Sequence, residues 1–254
     1  MKAKNVAIEA ALEAGTLLLN MSKETIRYKM KNEHDILADA DLASERLIIG
    51  KIKRAFPKHE ILSEEAGNRG TKSDFKWLVD PIDGTINYSR GIGEYCISIA
   101  LAHKGEINLG VIYKPSSDEL YVAQRGEGAF CNGKRIHVSP EKKPVNMILA
   151  TDNSSDIAGR VKNYEALAKA SAGVRHVRTF GSGALHMALV ASGKIDAYYK
   201  MGFHYWDYAA GAILVSEAGG KVTDLQGKPI LEKSSSILAS NNKAHGQILS
   251  LLKD

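Results

Sequence analysis

The chain of 254 residues lacks several features that would place it in a special class of protein. It has only two cysteines, Cys96 and Cys131, without metal-ligand spacing, so we expect small buried thiols instead of a disulfide or a zinc site. It has no apolar run of the roughly 18–20 residues that a membrane span needs. Its first residues lack the apolar core of a signal peptide. These absences favour a cytoplasmic protein without a membrane partner.

The charge pattern is equally plain. The net charge of +5 is scattered, and no run of like-charged residues is long enough to act as a nucleic-acid-binding arm. We therefore expect no nucleic-acid partner, and a nucleic-acid binder is a remote alternative that depends on net charge alone. Since the chain has no internal repeat or low-complexity linker, we expect residues 1–143 and 144–254 to be two packed halves of one compact unit.

Apolar periodicity predicts the elements. Helical spacing covers residues 3–22, residues 23–34 are expected to form a loop or loose hairpin, and residues 35–41 are expected to open a second helix that stops at Phe56-Pro57. Closely spaced strands without intervening helices then predict a mostly antiparallel sheet, whereas strands and helices alternate after Pro144. Predicted strands include 61–62, 75–80, 95–103, 107–113, 119–125, 135–138, 148–150, 174–179 and 195–199; later helices are 157–170, 183–191, 208–218 and 244–252.

The most informative segment is Asp80-Pro81-Ile82-Asp83-Gly84-Thr85, which follows an apolar run. Pro81 favours an extended Asp80, which should end its strand at the sheet edge where open sheets bind ligands. Two carboxylates this close repel each other unless a cation such as Mg²⁺ lies between them. Thr85 should lie near a short helix start, whose free N–H groups form an anion site. Taken alone, the same residues also suit a simple tight turn.

Two further acidic pieces could complete a metal site. Ser63-Glu64-Glu65 could also be a solvated acidic pair, and Asp207 after Trp206 could be a helix N-cap. Capping and metal binding are compatible, because one carboxylate oxygen can cap while the other binds a cation. Together the three pieces predict a metal-dependent phosphatase.

In combination these motifs resemble the inositol monophosphatase family, one of the magnesium-dependent, lithium-sensitive sugar phosphatases that include fructose-1,6-bisphosphatases. The resemblance runs nearly end to end and includes Trp206-Asp207-x-Ala209-Ala210-Gly211 and Glu217-Ala218-Gly219-Gly220. It implies an α+β fold, a layered α/β/α/β/α sandwich. It also implies a homodimer that acts on a small phosphate ester with two to three Mg²⁺ ions, for which Mn²⁺ could substitute.

The resemblance also implies roles for individual residues. Glu64, Asp80 and the Ile82 carbonyl would hold one ion, Asp80, Asp83 and Asp207 a second, and a third would lie near Glu64 through water. Thr85, oriented by Asp41, would position the attacking water with the help of Glu64, while Glu65 and Lys31 would support the site. The implied substrate pocket consists of Asp83, Gly84, Thr85, Gly181, Ser182, Gly183, Lys200 and Asp207.

The chain departs from the family pattern at two positions. Ala38 stands where a threonine is usual, so one supporting hydroxyl is missing. Lys200 stands where inositol-monophosphate specialists tend to have a glutamate, and a lysine cannot accept a hydrogen bond from a substrate hydroxyl. Lys200 is either a solvated surface lysine or the partner of a second anionic group, such as the distal phosphate of a bisphosphate.

The expected function is therefore hydrolysis of a sugar or polyol phosphate, of the inositol-1-monophosphatase type. A fructose-1,6-bisphosphatase or another bisphosphate phosphatase is the alternative, and a phospho-ligand-binding protein without catalysis is a remote one.

Other motifs predict only structure. Asn132-Gly133 indicates a hairpin, so the nearby glycines are no dinucleotide fingerprint. His186 is expected to be a helix-packing residue, not a ligand.

Overall fold

The computed structural model describes residues 2–24, 26–32, 35–154 and 157–253. The helices are α1 (Lys2–Met21), α2 (Asp39–Ala55), α3 (Thr85–Ser89), α4 (Ile157–Ser171), α5 (Gly183–Ala191), α6 (Tyr205–Glu217) and α7 (His245–Lys253). The strands are β1 (Tyr28–Asn32), β2 (Asp35–Ala38), β3 (Glu60–Ser63), β4 (Gly67–Arg69), β5 (Phe75–Asp83), β6 (Cys96–His103), β7 (Glu106–Lys114), β8 (Glu119–Gln124), β9 (Gly128–Cys131), β10 (Lys134–Arg135), β11 (Ile148–Ala150), β12 (His176–Arg178), β13 (Ala197–Met201), β14 (Lys221–Thr223) and β15 (Ser236–Ser240).

The strands form two large sheets and one hairpin. The first sheet has the order β10-β9-β8-β7-β6-β5-β3-β4, and within it only β3 and β5 run parallel. The second has the order β12-β11-β13-β15-β14, with β11 parallel to both of its neighbours. β1 and β2 pair antiparallel as a separate hairpin. The mostly antiparallel first half and the alternating second half confirm the sequence prediction.

Side-chain alternation along the strands divides the interior into layers. In β6, Ile97 and Ile99 face the core beneath α1 and α2, whereas Cys96 and Ala100 face α5 and α6 on the opposite side. The second sheet packs its inner face on α5 and α6 and its outer face on α4 and α7. The order helix, sheet, helix, sheet, helix confirms the expected α/β/α/β/α sandwich.

The middle helix layer joins the two halves of the chain. An added Cβ at Gly110 of β7 would lie 2.6 Å from the Ala210 carbonyl oxygen of α6, so the glycine permits a very close approach of helix and strand. α6 also packs against the second sheet through a shared apolar cluster. The division at residues 143 and 144 remains a prediction, but the halves share this core.

Several predicted elements were wrong in their limits; for example, the helix predicted over 208–218 is α6, which begins at Tyr205. Residues 35–38 form a strand, not the first turn of a helix, and α2 begins at Asp39. The start signal is Asp41, whose carboxylate accepts a hydrogen bond from the Ala38 N–H (2.8 Å). Of the strand predicted over 135–138, only Arg135 lies in a strand, as the second residue of β10. The β9–β10 hairpin is confirmed, and Asn132 and Gly133 have φ values of 48° and 74°, as its tight turn requires.

The region expected to be a loop or loose hairpin contains β1, which is paired with β2. Thr25, Glu33 and His34 of that region lie outside the described residues. Among the described helices, none is both long and apolar enough to cross a membrane.

Candidate active site

A cavity of about 500 Å³ collects residues from both halves of the chain at the end of β5. Its lining brings together side chains that lie as far apart in sequence as Lys31 and Asp207. The predicted site residues on this lining are Glu64, Asp80, Ile82, Asp83, Gly84, Thr85, Gly181, Lys200 and Asp207.

The end of β5 shapes the centre of the cavity. The pairing of β5 with β6 matches Asp80 to Ser98 and then Asp83 to Cys96, so the chain bulges between the two aspartates. Within the bulge, the Asp80 carboxylate accepts a hydrogen bond from the Ile82 N–H (3.1 Å). β5 therefore extends to Asp83, three residues beyond the predicted end at Asp80. An irregular strand end of this kind is typical of sites that direct side chains towards a ligand.

Asp83 is held by the N-terminus of α5. Its carboxylate accepts hydrogen bonds from the Ser182 hydroxyl (2.8 Å) and from the N–H groups of Gly183 (3.3 Å) and Ala184 (2.5 Å). Burial raises the pKa of Asp83 above its ordinary value, although the Lys200 ammonium and these donors act in the opposite direction. Ser182 and Gly183 thus lie behind Asp83, and Gly181 is the member of the predicted glycine-serine segment on the cavity lining.

The other carboxylates repel one another. Asp80 is 3% exposed, and this burial raises its pKa well above the ordinary value. The negative charges of Glu64, Asp83 and Asp207 raise the pKa of Asp80 further. Burial likewise raises the pKa of Asp207 to about 7, against the opposing effect of Lys200. Asp207 also accepts a hydrogen bond from the His204 N–H (2.8 Å) and so caps α6 while it lines the cavity.

Thr85 and Asp41 form a buried pair beside these carboxylates. The Thr85 hydroxyl lies 3.0 Å from Asp41 Oδ1 and 3.0 Å from the Ile82 carbonyl oxygen. Asp41 is fully buried, and burial raises its pKa to about 7. Because the backbone N–H of Ala38 anchors Asp41, the usual threonine hydroxyl at position 38 is not needed for that contact.

The turn after β3 carries Glu64 and Glu65. Lys31 from the β1–β2 hairpin forms ion pairs with Glu64 (2.9 Å) and with Glu65. Sequence reasoning missed Glu45, which accepts hydrogen bonds from Ser63 and from the backbone N–H of Glu65 (3.1 Å). Glu45 follows Asp41 by four residues, so helical spacing on α2 could have placed both on one face.

Lys200 is a cavity residue, not a solvated surface lysine. Burial opposes its charge, but the carboxylates of Asp207, Asp152, Asp83 and Asp80 raise its pKa above the ordinary value. Lys200 therefore keeps a positive charge inside the cavity at neutral pH.

The donor set fits a hard divalent cation. Mg²⁺ prefers carboxylate and carbonyl oxygens. Burial raises the pKa of Asp80 most, and a cation between Asp80, Glu64 and Asp207 would relieve the like-charge repulsion that raises it further. Among the described residues, no three acidic, imidazole or thiol side chains already form a closed metal cluster. The fit therefore depends on donor chemistry and mutual repulsion, not on a preformed coordination shell.

Known proteins match the whole chain. A model of the inositol monophosphatase family matches residues 2–254. The chain is 36% identical over 253 residues to an inositol-1-monophosphatase of Mesorhizobium japonicum, which covers 98% of this chain and 95% of that protein. It is 34% identical over 260 residues to the Nus factor SuhB of Pseudomonas aeruginosa, again covering 98% of this chain and 95% of that protein.

Solved structures agree. The extragenic suppressor protein SuhB from Bartonella henselae is similar with a TM-score of 0.96 and 35% identity, covering 100% of this chain and 99% of that one. An inositol monophosphatase from Anabaena has a TM-score of 0.90 and 36% identity, covering 99% and 95%. The chain therefore belongs to the inositol monophosphatase family and is a phosphatase of that type.

Proposed function

We propose that this phosphatase hydrolyses a small phosphate monoester of a polyol or sugar with Mg²⁺, and that inositol 1-phosphate is a substrate. One observation carries the proposal: acidic side chains from distant parts of the chain line one cavity with the Thr85–Asp41 pair. The inositol-1-monophosphatase from Mesorhizobium japonicum, 36% identical, supports the choice of substrate.

The proposed ion ligands are the cavity oxygens already described. Glu64, Asp80 and the Ile82 carbonyl would hold one ion, and Asp80, Asp83 and Asp207 a second. A third ion near Glu64 and replacement by Mn²⁺ are parts of the same proposal. Bound ions of this kind lower the pKa of water and stabilise charge on the entering and leaving oxygens of a phosphoryl group.

The residues of the chain orient the reactants. The Thr85 hydroxyl donates its proton to Asp41 Oδ1, so its oxygen is free to accept a hydrogen bond from the attacking water. Gly84 and Thr85 stand at the first turn of α3, where backbone N–H groups lack intrahelical acceptors and suit a phosphate. An added Cβ at Gly84 would lie 2.9 Å from the Glu94 carbonyl oxygen, so glycine alone fits this turn.

Phosphate release from inositol 1-phosphate with Mg²⁺ tests the proposal. Wild-type protein should release phosphate, whereas Asp83→Asn should lower kcat by roughly a hundredfold or more, because a ligand and a charge are lost. Asp224→Asn is the control, since Asp224 holds a turn through the N–H groups of Gln226 and Lys228. No release by the wild type across a panel of sugar phosphates would favour a phospho-ligand-binding protein.

A bisphosphate, such as fructose 1,6-bisphosphate or adenosine 3′,5′-bisphosphate, is the second candidate substrate. Lys200 and Arg160 both line the cavity, so two cations are available to a second anionic group. Lys200→Glu should lower kcat/KM for a bisphosphate relative to inositol 1-phosphate by about tenfold or more, since it replaces attraction by repulsion. An unchanged ratio would remove Lys200 from substrate recognition.

Two further properties belong to the proposal. We propose that the protein is cytoplasmic and that it is a homodimer. The exposed apolar side chains Ile157 and Val161 on α4 and Val177 on the edge strand β12 support the dimer. Light scattering should then give twice the chain mass of 27.6 kDa.

A role outside catalysis, suggested by the relative named Nus factor SuhB, would be supported if the Asp83→Asn protein retained a cellular function that loss of the chain removes.

A further inference from the structure

We infer that Asp152 and His186, which are not among the proposed metal ligands, are positioning residues for the active site. This inference rests on the proposed function, because it assigns them the task of holding the loop that fixes Asp83 and Gly84. That loop, residues 180–182, lies between β12 and α5 and is called the 180–182 loop below.

Asp152 and His186 are buried, and both make polar contacts. His186 is 0% and Asp152 3% exposed, and His186 Nδ1 lies 2.8 Å from Asp152 Oδ2. The other oxygen of Asp152 accepts a hydrogen bond from the Gly181 N–H (2.8 Å). The His186 ring is stacked with Tyr198 at a centroid distance of 4.8 Å and with Phe180 at 5.1 Å. Simple packing would need the stacked rings, but not this set of polar contacts.

The contacts of His186 define its tautomer. The Phe180 N–H points at His186 Nε2 (3.1 Å), so Nε2 must accept. The ring proton of the neutral imidazole is then on Nδ1, where Asp152 Oδ2 and the Ser182 carbonyl oxygen (2.7 Å) are available as acceptors. One imidazole thus holds both ends of the 180–182 loop, and Asp152 holds its middle.

The 180–182 loop contacts Asp83 and the turn at Gly84 that leads into α3. Asn87 of α3 donates to the Phe180 carbonyl oxygen (2.6 Å), and an added Cβ at Gly84 would lie 3.2 Å from the Gly181 carbonyl oxygen. The Ser182 hydroxyl donates to Asp83 (2.8 Å). A shift of the loop therefore moves both a proposed metal ligand and the proposed phosphate cradle.

Substitutions that keep the ring but remove its nitrogens separate positioning from packing. His186→Phe retains an aromatic ring between Phe180 and Tyr198 and loses all three polar contacts. His245→Phe is the matched control, because His245 is 3% exposed and its nitrogens pair with Thr223 (2.9 Å) and Ser240 (2.7 Å), outside the cavity lining. Both variants remove a buried imidazole from a polar network, so both should lose stability.

We expect only the His186 variant to lose function. Its kcat and its Mg²⁺ affinity, the latter measured by calorimetry, should fall by about tenfold to a hundredfold, as is typical when support of a metal ligand is lost. Its KM should change less. Hydrogen exchange at the amides of residues 180–184 should accelerate, whereas His245→Phe should leave kcat, Mg²⁺ affinity and this exchange near wild-type values.

Further variants keep the test decisive if His186→Phe does not fold. His186→Gln can present its amide oxygen to the Phe180 N–H and should recover part of kcat. Asp152→Asn keeps an oxygen acceptor for Gly181 but places an amide near His186 Nδ1, so it should lower kcat by about tenfold. In wild-type protein, imidazole nitrogen chemical shifts should identify His186 as the Nδ1–H tautomer.

Equal Mg²⁺ affinity and equal loop exchange in the His186 and His245 variants would overturn the inference. Wild-type protein that releases no phosphate would contradict the proposed function instead. In that case Mg²⁺ affinity and hydrogen exchange would still decide whether His186 positions Asp83.

Discussion

Two of the regions of this molecule that contain buried carboxylates differ in what surrounds those groups. In the second half, Asp196 is 8% exposed and accepts hydrogen bonds from the Ser139 hydroxyl and the Ile148 N–H (2.7 Å). Around the cavity, Asp80 faces Glu64, Asp83 and Asp207, all of like charge. Asp196 has the donors that a buried carboxylate needs, whereas the cavity carboxylates gain most from a cation. The contrast distinguishes a carboxylate that stabilises the fold from carboxylates that are proposed to bind metal ions.

Of the substitutions that test this contrast between the two regions, Asp80→Asn should have the largest effect on activity. Removing the central negative charge should lower kcat by on the order of a thousandfold, since the proposed bridging ligand is lost. Without Mg²⁺ the same variant should be at least as stable as the wild type, because it removes like-charge repulsion. Activity assays and urea unfolding in the presence of a chelator check the two effects. A marked loss of stability in the metal-free variant would contradict this account of the cavity charges.

Asp196→Asn should show the opposite pattern. An amide in place of one carboxylate oxygen leaves a donor without an acceptor, so the free energy of unfolding should fall by about 1–3 kcal/mol. The value of kcat at a temperature where the variant remains folded should stay within about twofold of the wild type. If Asp196→Asn instead lost activity without losing stability, the assignment of the two regions would be reversed.

Acid should act on the second half through His245. Burial lowers the pKa of His245 from its ordinary 6.5 to about 4, and nearby Lys221 adds to the effect. The unfolded chain therefore takes up the proton first, and stability should fall as the pH drops from about 6.5 towards 4. The loss due to this group between pH 7 and pH 5 should be about 2 kcal/mol. Denaturant unfolding of the wild type and His245→Asn at both pH values checks this, and parallel pH dependences would contradict it.

The sequence allowed much of the cavity lining to be predicted, for local reasons. Asp80, Asp83, Gly84 and Thr85 are consecutive or nearly so, so the end of one strand brings them together whatever the rest of the fold does. Glu64 and Asp207 line the same cavity. This could be expected only from the combination of motifs that resembles the family, because more than 100 residues separate Asp207 from Asp80.

What the sequence did not indicate depends on tertiary contacts. Asp152 follows a short strand like an ordinary loop residue, and only the fold brings it to Gly181 and His186. His186 was expected to be a packing residue, and its stacking agrees with that view, but its polar contacts need a backbone that folds over it. The start of α2 was misplaced because three aspartates compete as helix-start signals, and the contact that decides between them is made by Asp41.

The placement of α6 has a consequence for how members of this family can exchange parts. This helix carries Asp207 at its first turn, and further along it fits against Gly110 at a distance that leaves no room for a side chain. A chimera that joins the first half of one homologue to the second half of another would therefore need complementary surfaces on both sides of this contact. Mismatched surfaces would displace Asp207, a proposed metal ligand, as well as open a gap in the protein interior, so this one helix should decide whether recombination between relatives succeeds.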